Sequence, residues 1–214
     1  MGLIDSQVLA FTVVAAALTI TPGADTMLVI RNVLARGRRA GVVTTLGICS
    51  GLFVHALLSA LGLSLILARS AEAFTVGKLA GALYLGWLGA QSLRRAARRA
   101  PPEATLPRAG DARASDPARS WREGFLTNVL NPKVAVFYLA FLPQFVGPRD
   151  PLLPTFLALA AIHATLGLVW LSLLSSLLER ARGWFERPAV RRALEAVSGA
   201  VLVGLGARLA LARR

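Results

Sequence analysis

Two short runs set ionisable and amide side chains beside helix-breaking residues inside otherwise apolar stretches. One is Thr21-Pro22-Gly23-Ala24-Asp25; the other runs from Asn128 to Lys133 and contains Asn131-Pro132-Lys133. Proline removes the N–H that a helix interior needs and clashes with the preceding turn, so the backbone at both places must find other partners. In hydrocarbon no water is available to supply them. Such breaks suit recognition of a dipolar ion. The free N–H groups of a half-helix N-terminus, reinforced by its dipole, favour a carboxylate, and the segments after Pro22-Gly23 and after Pro132 both begin that way. Asp25 is the only carboxylate well inside an apolar segment. It can bind an ammonium or exchange a proton, and a functional reading is the default for an ionisable group at that depth. It can equally cap a helix restarting at Thr26. Lys133 falls roughly 16 Å past Arg122 along a helix, where it can attract a carboxylate, act as counter-ion to Asp25, or snorkel to water. Asn128 and Asn131 are placed to satisfy the backbone freed by the second break, and an amide lining a cavity can also read a substrate.

Other reactive side chains are sparse. His55 and His163 each lie within an apolar segment. An imidazole titrates near neutral pH, which suits a proton relay; an interhelical hydrogen bond is the competing reading and the preferred one for His163. Two isolated histidines without an acidic neighbour make a poor metal site, so no metal is expected. Cys49 is the only cysteine, which excludes an intramolecular disulfide. Ser175-Ser176 has no evident base, and neither a nucleophile–base pair nor a phosphate loop is present. Neither an enzyme nor a bound cofactor is expected. Trp87, Trp170, Trp184, Tyr84 and Tyr138 read as interface anchors or packing.

The elements that must position these groups follow from the distribution of apolar residues. Leu9 to Ile20, Val42 to Leu67, Phe74 to Leu93, Phe125 to Phe145, Leu152 to Leu178 and Ala196 to Leu211 carry few charges. Most are about 20 residues long, enough to cross a hydrocarbon core of ~30 Å. The chain therefore reads as an all-α polytopic membrane protein of about six transmembrane helices, embedded in a lipid bilayer. The net charge of +13 does not point to nucleic acid, because the arginines sit in connections: Arg31 to Arg39, Arg94 to Arg122, and Arg180 to Arg192. The alternate connections are nearly bare, which places the first, third and fifth in the cytoplasm and the N-terminus outside. Arg208, Arg213 and Arg214 dissent, since six spans would leave them outside; five spans with a re-entrant segment would relieve this. The N-terminus lacks the basic region of a signal peptide, so the first segment is read as a retained span.

The two breaks belong to a repeat. Aligning Pro22 with Pro132 brings His55 near His163, and the Gly81 to Gly86 run matches Gly199 to Gly204. Residues 1–93 and 123–214 then form two three-helix units joined by a basic cytoplasmic linker, 94–122. An odd number of spans per unit makes the second insert upside down. Inverted repeats with interrupted helices at matching positions are the usual build of secondary transporters, with the site near the midplane between the breaks. Small-residue faces on spans two, three and six permit a homodimer or ordinary intramolecular packing.

With these residues in view, the chain resembles the lysine exporter / threonine-homoserine exporter superfamily (LysE/RhtB) of bacterial amino-acid efflux proteins. The resemblance runs nearly end to end. It rests on Thr21-Pro22-Gly23-Ala24-Asp25-Thr26, the Arg36-Gly37-Arg38-Arg39-Ala40-Gly41 turn, the Gly51 to His55 spacing, the Lys78 to Gly89 span, and Gly124-Phe125 with Asn128, Asn131-Pro132-Lys133 and Leu142-Pro143-Gln144-Phe145. Ala24 departs from the pattern, which most often has a second proline there. The resemblance implies export of a small amino acid or a derivative across the cytoplasmic membrane of a bacterium, with protons as the coupling ion. Another small metabolite as cargo, or a channel or scaffold without active coupling, are the alternatives.

Overall fold

The computed structural model describes residues 6–69, 71–97, 116–147, 150–180 and 188–211. Most of the linker, Trp184, Arg213 and Arg214 lie outside the described residues. Every element among the described residues is helical: α1 Ser6–Ile20, α2 Ala24–Arg36, α3 Arg38–Arg69, α4 Ala71–Ala97, α5 Pro117–Val129, α6 Pro132–Val136, α7 Leu152–Arg180 and α8 Pro188–Leu211. A π turn over Phe137–Phe141 and a 3-10 turn over Leu142–Phe145 continue α6.

The breaks fall where the prolines require. α1 closes with Thr21 N and Thr21 Oγ1 both donating to the Ala17 carbonyl, at 3.1 and 2.7 Å. The chain then passes through Pro22, and Gly23 caps α2 in an extended conformation. α1 and α2 meet at 50°, and α5 meets the segment Pro132–Phe145 at 49°. At the second break Asn131 is the cap, its Oδ1 accepting from Lys133 N at 3.1 Å. α2 ends at Gly37, whose φ of 83° is the left-handed value that favours glycine at a helix end.

α3, α7 and α8 each contain a stretch long and apolar enough to cross a membrane, and counting each bent pair as one span brings the total to five. α4, at 27 residues, has the length but falls short in apolarity, because its sequence carries Lys78, Gln91 and several glycines. One boundary differs from the sequence reading: α5 begins at Pro117, inside the expected linker, because Asp116 caps it by accepting from Ala118 N at 3.0 Å with proline in the first helical position. Glu195, near the start of α8, accepts from Ser92 Oγ of α4.

The most extensive interfaces run between the two halves of the chain, α4 against α8 and α3 against α5 and α7. Glycine makes two of them close. A side chain at Gly124 would collide with the Thr44 carbonyl, and one at Gly47 with the Trp121 carbonyl. Gly89 and Gly199 are each within 2.7 Å, measured from an added Cβ, of the other's carbonyl oxygen. The core holds Phe11, Leu18, Phe137, Tyr138, Phe141 and Phe156. Leu61, Leu83 and Val169 are among the large apolar residues on the outside, as a lipid-facing surface requires. Near the basic turn, Glu123 of α5 accepts from Arg36 Nη2 of α2, Asn32 Nδ2 at 3.1 Å and Arg119 Nε at 3.0 Å. Asn32 Nδ2 also reaches Thr44 Oγ1 of α3 at 2.8 Å. That network pins α2, α3 and α5 together.

Gly124→Ala is expected to destabilise the protein by about 1–3 kcal/mol through overpacking, seen as a fall of several degrees in Tm of the detergent-purified protein. Gly204→Ala is the control, because nothing lies within 4 Å of its added Cβ, and its Tm should not move.

Candidate functional site

The polar groups of each break are bound by the other break. Lys133 Nζ, from the start of α6, donates to the Thr21 carbonyl at 3.0 Å and the Leu18 carbonyl at 3.4 Å. These carbonyls end α1, where the helix dipole favours a cation. Asp25, in the first turn of α2, occupies the opposite pole, which favours an anion. Its Oδ2 accepts from Asn128 Nδ2, in the last turn of α5, at 2.8 Å. His55 of α3 braces this arrangement: its Nε2 lies 3.0 Å from the Asn128 carbonyl, an acceptor only, so the ring nitrogen donates. Asn131 N donates to the same carbonyl at 2.9 Å.

Glycines make the approach possible. A Cβ on Gly23 would lie 2.9 Å from Lys133 Nζ, and one on Gly51 would lie 2.6 Å from Asn128 Oδ1. Pro22 takes part through its carbonyl, which accepts from Ser198 Oγ of α8 at 2.6 Å. The structure thus brings Asp25, Asn128, Asn131, Lys133 and His55 together, with Pro22 and Gly23 beside them. The capping reading of Asp25 does not hold, because α2 restarts one residue earlier and Gly23 is the cap. Asp25 and Lys133 bind amide and carbonyl groups of the opposite break, not each other.

Both ionisable groups line one cavity of about 40 Å³, together with Asn128. At about 10–15 Å³ per water, this is room for roughly three waters. The rest of the wall is largely apolar, from Leu18, Ile48, Leu52 and Leu171 among others. Three buried polar atoms at the breaks lack a hydrogen-bond partner: Asp25 Oδ1, Asn128 Oδ1 and Asn131 Nδ2. Each such atom costs about 1–3 kcal/mol, and two of them belong to residues that line the cavity, Asp25 and Asn128, the mark of a site built for something other than stability.

The family model for LysE type translocators matches residues 16–213. The chain belongs to the LysE type translocator family. An uncharacterised membrane protein of Bacillus subtilis, YrhP, is 32% identical over 209 residues, covering 96% of this translocator and 99% of the relative. The homoserine/homoserine lactone efflux protein of Salmonella typhimurium is 31% identical over 204 residues, covering 95% and 96%. The threonine efflux protein of Escherichia coli K12 is 30% identical over 195 residues, covering 90% and 92%. No solved structure matches. With its apolar helices and these relatives, the translocator is a multi-pass bacterial membrane protein and not an enzyme.

Sequence reasoning passed over one wall of the translocator's cavity. His163, read as an interhelical hydrogen-bonding group, does bond across helices, with Nδ1 3.3 Å from Tyr138 Oη; it also lines the cavity, as does Cys49. Tyr138 is fully buried in the core, so it is not an interface anchor. Its ring packs on both His55 and His163, at centroid distances of 5.7 and 5.8 Å. The signal available was the alignment of the two histidines between the halves, which pairs them without showing that an aromatic ring from the second break comes between their helices.

Proposed function

We propose that this translocator exports a small amino acid or derivative from the cytoplasm, driven by the proton motive force through alternating access. The observation that carries the reading is that one carboxylate and one ammonium, supplied by opposite breaks, face a single cavity and are held by groups of the other break. A zwitterion offers the matching pair. Its ammonium can take the unpaired Asp25 Oδ1, and its carboxylate can take Lys133 and the first turn of α2. The names of the relatives, homoserine/homoserine lactone efflux and threonine efflux, support the substrate class. Asp25 is the group best suited to exchange the coupling proton, being the carboxylate at the break.

Alternating access would admit the substrate by movement of one break against the other around the site between them. The Glu123 network, which joins the two half-helices on the basic side, is the contact that must loosen for entry from there.

The test is uptake into inside-out vesicles or proteoliposomes, using labelled amino acids with and without an imposed proton gradient. Gradient-dependent accumulation of one or a few amino acids is expected. Movement that only equilibrates would make the protein a channel, and no movement of any amino acid would send the cargo to another class of metabolite.

A further inference from the structure

The cavity has further polar lining from α3 and α7. Cys49, His163 and Gly167 form it, with Ile48 and Leu171 as apolar flanks. Cys49 Sγ is committed to the Ala164 carbonyl at 3.3 Å. A Cβ on Gly167 would meet only that sulfur, at an ordinary 3.6 Å, so helix packing does not demand glycine there. What the glycine leaves is room beside His163.

The histidine is oriented. Tyr138 Oη is buried, and its only hydrogen-bond partner among the described residues is His163 Nδ1, at 3.3 Å. In the arrangement that gives the phenol hydrogen an acceptor, Oη donates to Nδ1 and the neutral imidazole carries its own hydrogen on Nε2. The ring is fixed by stacking on Tyr138 at 16° and edge contact with Phe137 at 72°. Nε2 has no partner among the described residues, although His163 lines the cavity and is only 5% exposed.

We infer that His163 Nε2 is the specificity-determining donor for the substrate side chain, selecting amino acids with a short, hydroxyl-bearing side chain over their hydrocarbon isosteres. Tyr138 is the positioning residue that fixes the tautomer. The inference rests on the export reading above. Asp25 and Lys133 would take the two charges common to all amino acids, and the lining from α3 and α7 would read what differs: a hydroxyl toward His163, a methyl toward Ile48 and Leu171. Threonine and valine have nearly the same shape, so a purely apolar pocket rejects neither strongly, whereas a buried donor left unpaired by valine disfavours it.

The experiment compares uptake of labelled threonine and valine by proteoliposomes containing the full chain. Wild type should favour threonine by about tenfold or more. His163→Phe keeps the ring and its stacking but removes both nitrogens; the ratio should fall toward one, with valine uptake retained. His163→Gln keeps a donor at that wall and should preserve a several-fold preference. Tyr138→Phe should give a partial loss of the ratio. In purified wild type, threonine should raise Tm at a concentration about tenfold below that needed with valine, a readout that does not depend on any variant folding. Equal handling of the two by wild type, or an unchanged ratio in His163→Phe, would overturn the assignment, as would a proportional fall for both substrates. If other amino acids move and these two do not, the substrate class is wrong while export stands. If no amino acid moves, the export reading itself falls.

Discussion

Asp25→Asn should abolish gradient-driven export while the protein still inserts and folds. The substitution keeps the volume and leaves an oxygen to accept from Asn128 Nδ2, which now lies 2.8 Å from the carboxylate, so the contact between the breaks survives. What goes is the charge, and with it both the proposed partner for a substrate ammonium and the proposed proton-exchanging group. Hydrogen bonds to a charged group contribute about 1.5–3 kcal/mol, so loss of the ammonium contact alone should lower transport roughly 10- to 150-fold. Loss of the coupling proton should remove accumulation against a gradient altogether. Measured together, vesicle uptake should collapse while Tm and the amount of inserted protein stay near wild type. Normal export by the variant would reduce Asp25 to a structural partner of Asn128.

Lys133→Ala is the second large effect, and Lys78→Ala is its comparison. Lys133 Nζ is bonded to the Thr21 and Leu18 carbonyls at the first break. Removing it leaves buried acceptors without a charged donor, at about 1–3 kcal/mol each, and removes the cavity's cation. Transport should fall tenfold or more and Tm by several degrees. Lys78 lies on α4, away from the cavity lining, so its loss should change uptake by less than twofold. Lys133→Arg should also transport poorly, because a planar guanidinium does not replace a compact ammonium wedged against Gly23. Equal effects of the two alanine changes would leave no role for a cation between the breaks.

Both breaks were readable from residue type alone, because proline in an apolar run leaves few conformations open. Their partnership was an expectation drawn only from aligning Pro22 with Pro132. The crossing of Lys133 to the carbonyls ending α1 was not readable, since sequence spacing says how far along a helix a residue lies but not which neighbour its side chain meets. The same holds for Tyr138, whose aromatic ring suits a membrane interface and a core equally well until its neighbours are known. The start of α5 was missed for a different reason. Its Asp116-Pro117 signal is local and strong, but the surrounding arginines and prolines read as an unstructured connection. In α4 the glycines divide: Gly81 and Gly89 sit in helix contacts, whereas Gly77 and Gly86 have open space beside them.

The pairing of helices across the two halves bears on how the protein is made. α1 packs chiefly on α7 and the turn ending at Phe145, α3 on α5 and α7, and α4 on α8. α1, α3 and α4 therefore find their main neighbours only among helices of the second half. At about 5–20 residues per second, the second half takes roughly 5–20 s to emerge. Asp25 likewise sits in the bilayer for the roughly 5–20 s that the chain between it and Asn128 takes to be made. Truncated chains ending in the linker should accordingly be unstable and prone to degradation, and co-expression of the missing half should rescue them.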